Sequence, residues 1–149
     1  MPNDPPLSPA ETRDFRCFAG LMIPASTRYG VPGADDETIF ADIVNNLGRD
    51  RDDVLAALKR LAMLAGGPFA DAAANRRNEA AAALRTEGGP TLAAITRVIL
   101  LCYYRDDRVM HSLGQEPRPP FPKGHAVEQG DWSLLDPVKA RQPFYRRVP

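Results

Sequence analysis

The sequence predicts an all-α fold, a small helical bundle of about five helices with an extended proline-rich C-terminal arm. The first reason is the distribution of the 15 prolines: six lie in residues 1–32, seven in residues 115–149, and only Pro68 and Pro90 lie between. Because proline disrupts the interior of a helix, the middle of the chain can be helical where the ends cannot. The second reason is the helical spacing of apolar residues through that middle. We therefore expect a helical domain, residues 1–114, followed by an arm, residues 115–149.

The first helix begins at a capping box. Ser8 stands at the N-cap, Pro9 at the first helical position and Glu11 three residues after the cap. Apolar residues then recur at spacings of three and four on one face. Pro24 ends this helix, because its ring does not follow a helical residue comfortably. Residues 25–34 contain further proline and glycine, which predicts a turn-rich loop.

Three more helices are expected in the middle of the chain, and glycine follows each of them. Residues 35–37 are acidic and complement the positive end of a second helix, which Gly48 closes. Asp50 is expected to cap a third helix, which ends at the Gly-Gly-Pro of residues 66–68. Residues 78–87 are rich in alanine and predict a fourth helix that buries little surface per residue.

The fifth helix opens at Pro90 and Thr91 and is apolar nearly all round up to Tyr103. A helix of this kind belongs at the centre of a bundle. The apolar run of residues 98–104 is also compatible with a buried strand, but the long helical lead-in favours a helix. Residues 106–113 predict a last short helical piece, with the aspartates at its start as caps.

The arm carries spaced apolar and aromatic residues, although its prolines block regular structure and no amphipathic period returns before the end. Disordered tails are usually poor in aromatic residues. A proline-rich backbone is already extended, so docking costs it less entropy. We therefore expect the arm to wrap over a larger protein, with Trp132, Leu134 and Leu135 as its main anchors. The expected contact residues of the arm are Phe121, Trp132, Leu134, Leu135, Val138, Phe144 and Tyr145.

A second expected contact is the loop that follows the first helix. Its prolines and glycines predict a rigid, exposed segment over residues 23–34. The residues expected to meet a partner there are Ile23, Pro24, Pro32 and Gly33.

Few residues are suited to chemistry. His111 and His125 are the only histidines, and a zinc site would need more ligands. Cys17 and Cys102 lie on predicted apolar helix faces and are interpreted as packed thiols, although an intersubunit disulfide stays open for either. No glycine-rich phosphate or dinucleotide motif occurs. We therefore expect no catalytic residue, no cofactor-binding residue and no metal ligand in this chain.

Charge and hydropathy exclude two further classes of partner. The 19 basic residues are balanced by 19 acidic residues, whereas proteins that bind nucleic acid or anionic membranes normally carry a basic excess. The longest wholly apolar run, residues 98–104, is far below the roughly 20 residues that cross a bilayer. We expect no nucleic-acid binding and no direct membrane insertion.

Two short motifs lie at the two ends of the helical domain. The first is Leu-Met-Ile-Pro-Ala-Ser at residues 21–26, followed by Pro-Gly-Ala at residues 32–34 and an acidic helix start. The second is Tyr103-Tyr104 at the end of the apolar helix, followed by Leu113-Gly114 and a tail rich in proline and glycine. Together they span most of residues 11–124. They resemble the gluconate 2-dehydrogenase subunit 3 family, the small subunit of membrane-linked flavin dehydrogenases.

The resemblance implies an accessory role. Members of the family have no redox centre of their own and pair with a large FAD-containing catalytic subunit, similar to glucose-methanol-choline (GMC) oxidoreductases. That subunit oxidises a sugar, sugar acid, glycoside or polyol, and a cytochrome c often takes the electrons. Many members begin with a twin-arginine export signal, whereas residues 1–9 hold neither a twin arginine nor an apolar stretch. The chain as given is therefore expected to be cytoplasmic, or periplasmic if a leader is missing or the complex is exported through its partner.

Three functional classes follow from these observations. The main hypothesis is a non-catalytic small subunit of an FAD-dependent dehydrogenase. The alternative is a free-standing helical domain that binds or regulates another protein. An enzyme in its own right, using His125 with Asp131 or Glu128, is disfavoured because catalytic groups are normally held on a rigid scaffold.

Overall fold

The computed structural model describes residues 6–118, 124 and 128–142. Over these residues the chain is mostly helical, and the predicted all-α class is confirmed. In this described part, the strand-like pairing is limited to an isolated antiparallel bridge between Ser26 and Val31. The chain divides into two compact units, Met1–Pro117 and Arg118–Pro149.

The first unit is a bundle of α-helices joined by short connections. Its helices are α1 (Pro9–Met22), α2 (Glu37–Asn45), α3 (Arg51–Ala65), α4 (Ala74–Glu87), α5 (Gly89–Tyr103) and α6 (Asp107–Ser112). Two 3₁₀ turns, Gly48–Asp50 and Phe69–Asp71, lead into α3 and follow it. The apolar run near residue 100 is therefore helical, and the strand alternative is wrong.

The predicted caps of α1 and α6 are confirmed, and the acidic start predicted for α2 contains a cap at Asp36. The Ser8 hydroxyl accepts a hydrogen bond from the backbone N–H of Glu11 at 3.2 Å, and the Glu11 carboxylate accepts one from the Ser8 N–H at 2.8 Å. The carboxylate of Asp36 accepts from two N–H groups in the first turn of α2, at 3.1 and 3.4 Å. Asp106 accepts from the Arg108 N–H at 3.0 Å at the start of α6. Each cap satisfies a donor that the helix itself leaves unpaired.

Three boundaries differ from the prediction. Asp50 precedes α3 but makes no capping hydrogen bond, because its carboxylate accepts from the Arg97 guanidinium instead, at 3.0 Å from Nε. Helix α2 ends at Asn45, and Gly48 begins the following 3₁₀ turn rather than closing the helix. Helix α4 starts at Ala74, four residues before the predicted start, because good helix formers precede the alanine-rich stretch.

The core lies where α3 meets α4 and α5 and where α2 meets α5. Aromatic rings connect α1 to this core: Phe15 packs edge-on against Phe40 with ring centroids 5.6 Å apart, and Phe18 against Phe69 at 6.1 Å. Such edge-to-face pairs add to the stabilisation from area burial alone. The largest fully buried side chains are Phe15, Ile39, Ile43, Val54, Leu61, Phe69, Leu84, Ile95, Ile99 and Val109.

Helix α5 is not surrounded on all sides, so its predicted place at the centre of the bundle is wrong. It packs on α2 and α3, which bury Ile95, Val98 and Ile99. Another face stays at the surface, where Leu101 is 62% exposed, and Tyr104, directly after the helix, is 53% exposed. Two neighbouring helices cover only one stripe of a helix, so the remaining apolar residues of α5 form surface.

A buried carboxylate connects α1 to the turn after α3. Asp14 is 8% exposed and accepts a hydrogen bond from the backbone N–H of Ala70 at 2.8 Å. A buried carboxylate is costly unless it is hydrogen-bonded, and Asp14 also satisfies a donor of the 3₁₀ turn Phe69–Asp71. This long-range contact was not predicted, because nothing near Asp14 in the sequence indicates which donor it meets.

Arginines of α5, α6 and their connection form forked ion pairs with aspartates of α2 and its surroundings. In each pair the guanidinium contacts both carboxylate oxygens, a geometry that is stronger and more directional than a single contact. The pairs are Arg97 with Asp50, Arg105 with Asp42 (Nε to Oδ2, 2.7 Å) and Arg108 with Asp36 (Nη2 to Oδ1, 2.7 Å). They hold α5 to the 3₁₀ turn before α3, and they hold the α5–α6 connection and the start of α6 to α2 and its N-cap.

We expect the free energy of unfolding to fall as the pH drops below about 4. Hydrogen bonds from the arginines lower the pKa of Asp36, Asp42 and Asp50 from the ordinary 3.8. The unfolded chain therefore takes up these protons first, so the pairs stabilise the fold fully above the unfolded pKa and are lost as the pH passes through the folded values. Urea unfolding at a series of pH values measures this. In Asp42→Asn the acid-dependent loss should be smaller, and an unchanged pH dependence in that variant would contradict the assignment.

Candidate protein–protein interface

The loop between α1 and α2 is held in one shape by backbone hydrogen bonds. The Ala34 N–H donates to the carbonyl of Ile23 at 2.9 Å, and Ser26 and Val31 exchange hydrogen bonds at 3.0 and 3.1 Å. The Tyr103 hydroxyl donates to the Pro32 carbonyl at 3.2 Å and so connects the loop to α5. The loop is thus closed at its base and fastened to the bundle.

The side chain of Asp35 lies in a space that two glycines leave open. A Cβ atom at Gly20 would approach Cγ of Asp35 to 2.7 Å, and one at Gly33 would lie 2.9 Å from the backbone nitrogen of Ala25. The carbonyl of Asp35 also accepts a hydrogen bond from Nε of Arg16 at 2.8 Å. Glycine is needed at both positions because loop and helix approach more closely than a Cβ atom permits.

The four loop residues predicted to meet a partner differ in exposure. Pro24 is exposed, whereas Ile23 and Pro32 are half-buried and Gly33 is buried. Gly33 contributes to the internal packing of the loop rather than to its surface. That these residues contact a partner stays a prediction.

The exposed tip of this loop holds two residues that the sequence reasoning missed. Tyr29 is 66% exposed, and the Arg28 guanidinium carbon lies 5.5 Å from the centroid of its ring, a cation–π contact. Tyrosine and arginine are enriched among interface residues whose truncation costs most affinity. The sequence signal for this tip was Arg-Tyr-Gly at residues 28–30, which lies between two turn-forming stretches. In the structure Gly30 has a φ of 64°, a conformation that suits glycine at the tip of a turn.

In the second unit the predicted arm anchors lie on a short helical segment, not on extended chain. Trp132–Leu135 forms a 3₁₀ turn that continues into α7 (Asp136–Lys139). Pro137 is compatible with this because it lies in the first turn, where its missing N–H has no helical acceptor. The four described anchors are exposed, namely Trp132 (64%), Leu134 (75%), Leu135 (42%) and Val138 (56%).

Local hydrogen bonds support this segment. The Asp131 carboxylate accepts from the Ser133 N–H at 3.0 Å and from its hydroxyl at 2.6 Å, and these contacts lower the pKa of Asp131. The Trp132 indole N–H donates to the Gln129 side chain at 3.1 Å. The other arm residues predicted as contacts, Phe121, Phe144 and Tyr145, lie outside the described residues.

The residues considered for chemistry are dispersed. Cys102 is buried, and burial together with the charge of Asp42 raises the pKa of its thiol to about 11, so at neutral pH it is a protonated, packed group. Cys17 is half-buried, with Sγ 3.3 Å from a guanidinium nitrogen of Arg77. His111 is exposed on α6.

The proposed acid–base group of the arm is only partly described. Glu128 is exposed, and Asp131 is engaged in the cap just described. His125 lies outside the described residues.

Within the described ranges, no three histidine, cysteine or acidic side chains are grouped so that they could hold a metal ion. None of the helices described there has the length and hydropathy needed to cross a bilayer.

We expect Gly33→Ala to lower the free energy of unfolding by about 1–3 kcal/mol, the usual cost of forcing an atom into filled space. The added methyl group would collide with the Ala25 backbone and the Asp35 carboxylate. Gly67→Ala is the matched control, because no atom lies within 4 Å of its added Cβ and its φ is not positive. Urea unfolding of the two variants measures the difference. Equal stabilities would show that the loop relaxes without cost.

Two exposed surfaces in the described part of the chain match the contacts considered so far for a protein partner. One is the Tyr29 tip of the loop in the first unit, and the other is the apolar Trp132–Lys139 segment in the second unit. Both combine aromatic or aliphatic surface with charged neighbours, as the contact regions of protein interfaces do. Comparison with protein-family models, with curated proteins and with solved structures gives no match.

Proposed function

We propose that this chain is a non-catalytic small subunit that binds and stabilises a large FAD-dependent dehydrogenase of the GMC type. In this proposal the partner holds the FAD and oxidises a sugar, sugar acid, glycoside or polyol, and a cytochrome c accepts the electrons. The proposal for the partner rests on the sequence resemblance at residues 21–34 and 103–114. The proposal for the mode of action rests on the exposed surfaces of the chain.

The observation that carries the proposal is the exposure of the apolar segment at Trp132. Trp132 is 64% exposed and Leu134 75% exposed, on a turn in which the Ser133 N–H donates to the Asp131 carboxylate. Large apolar side chains clustered at a surface are typical of binding sites. Tryptophan in particular is enriched at interface positions where truncation costs about 2 kcal/mol or more.

A bound subunit of this kind stabilises its partner by mass action. Any protein that binds only the folded form of the large subunit shifts that subunit away from unfolding, and at 100 times its Kd the shift is about 2.7 kcal/mol. No chemistry is required of the small chain. The buried Cys102 and the exposed His111 are compatible with such a role.

The loop tip offers a second point of contact for the same partner. Arg28 and Tyr29 project from a loop that hydrogen bonds hold at its base, so little conformational entropy is lost when they are buried. Two separate contacts on one chain raise affinity beyond that of either alone when both can be engaged together.

We expect Trp132→Ala to weaken binding of the large subunit at least tenfold, a loss of about 1.4 kcal/mol or more. Met63→Ala is the control, since Met63 is a similarly exposed apolar residue (71%) on α3. The measurement is co-purification of a flavin-containing protein with a tagged chain expressed at native level in its own cells. Flavin absorbance of the eluate gives the bound fraction, and titration of the separated subunits gives the Kd.

Two results would contradict the proposal. If the wild-type chain at native level brings down no flavin-containing protein, the chain is not a subunit of such an enzyme. If a flavoprotein is bound but Trp132→Ala and a deletion after Gly114 both leave the Kd unchanged, the arm is not the contact. Retention of full dehydrogenase activity by the complex after His125→Ala is expected, because the chemistry is placed in the partner.

A further inference from the structure

An open apolar hollow of about 510 Å³ lies between the end of α1 and helices α4 and α5. Leu21 and Met22 of α1, Ala81 and Ala82 of α4, and Leu92 of α5 line it. Two of the four α4 residues that line the hollow are alanines, whose small side chains leave part of the space unfilled. None of these residues is among the partner contacts predicted above.

A second hollow, of about 560 Å³, continues the first along α5. Leu92 and Thr96 line both hollows, and Leu100 and Leu101 line the far end of the second. The second hollow is shallow and is lined by α5 alone, but it shares two residues with the first, and we call the two together the α4–α5 groove. From Leu92 to Leu101 it follows nine residues of α5, about 14 Å of helix at 1.5 Å per residue.

The ionisable groups lining the α4–α5 groove are both cationic. They are Arg85 of α4 and Arg97 of α5, and no acidic residue lines either hollow. Arg97 is held by Asp50, as described above. Arg85 is exposed and forms no ion pair with any residue that the structure describes. The groove therefore combines an apolar floor with a cation available at its edge.

We propose that the α4–α5 groove binds an amphipathic α-helix of a partner protein that carries a carboxylate next to its apolar face. A helix that lies in a groove uses anchors at positions i, i+3 or i+4, and i+7. Seven residues span about 10 Å, which fits within the 14 Å of groove along α5. The carboxylate pairs with Arg85, whose planar guanidinium suits a bidentate contact.

The shape and charge of the surface favour a protein helix over a membrane. Membrane-binding surfaces insert protruding apolar side chains and carry a basic excess. The first hollow is recessed between α1, α4 and α5, and the chain as a whole has a net charge of zero. An apolar groove with one available cation is complementary to an amphipathic helix that carries a carboxylate beside its apolar face.

Two designed peptides test this on the full chain. The first is a 16-residue helix of leucine, alanine and glutamate, with leucines at i, i+4 and i+7, and the second has lysine in place of glutamate. We expect the glutamate peptide to bind, with backbone amide shifts in the NMR spectrum confined to α4, α5 and the end of α1. The lysine peptide should bind at least about tenfold more weakly, since it places like charge beside Arg85.

Three variants of α4 locate the site. Ala82→Glu adds a negative charge inside the groove and should weaken the glutamate peptide at least about tenfold. Thr86→Glu adds the same charge at an exposed position on α4 outside the groove lining, and should leave the affinity unchanged. Arg85→Gln should remove the preference for the glutamate peptide over the lysine peptide. Circular dichroism of each variant verifies that the helical content is retained.

The proposal is overturned by any of four results. The glutamate peptide does not bind at millimolar concentration; the two peptides bind equally well; the shifts map to another face; or Ala82→Glu and Arg85→Gln, both folded, bind as the wild type does. Co-sedimentation of the wild type, but not of Ala82→Glu, with phosphatidylglycerol vesicles would assign the groove to a membrane and overturn it too. None of these results depends on the flavoprotein experiment.

Discussion

The packing of α5 on α2 and α3 is the interaction on which the rest of the first unit depends. Helix α5 buries Ile95, Val98 and Ile99 in this contact, and the ion pair between Arg105, just after α5, and Asp42 of α2 extends it to the surface. Among the described helices, α5 packs mainly on α2 and α3. These two helices cannot cover all of its apolar side chains. The apolar side chains of α5 that stay uncovered, such as Leu101, form apolar surface on the bundle.

Most of the fold could be predicted from local signals, because those signals act over a few residues. The capping box at Ser8, the glycine stop at Gly66 and the cap at Asp106 each need only neighbouring backbone groups, and all three are present. Asp50 failed as a cap because a distant arginine competes for its carboxylate. A competing partner from another helix is not encoded within the window that a capping pattern uses.

The candidate interface was predictable in part, for the same reason. The exposure of Trp132 and Leu134 agrees with a proline-rich segment that cannot form a core of its own. That this segment is helical was missed, since a segment this short shows no amphipathic period; Pro137 stands in its first turn, where a helix accepts proline. Tyr29 was missed because its exposure follows from the Ser26–Val31 pairing, which the sequence pattern does not reveal.

The alanines of α4 have a consequence for how this chain can change over time. A larger apolar residue at Ala81 or Ala82 would bury surface that Leu92 now leaves open, and each added buried methylene contributes about 0.8 kcal/mol. With alanine at both positions, the chain lacks this contribution to its free energy of unfolding. Selection for a more stable monomer and selection for a docking surface thus act in opposite directions on the same two positions.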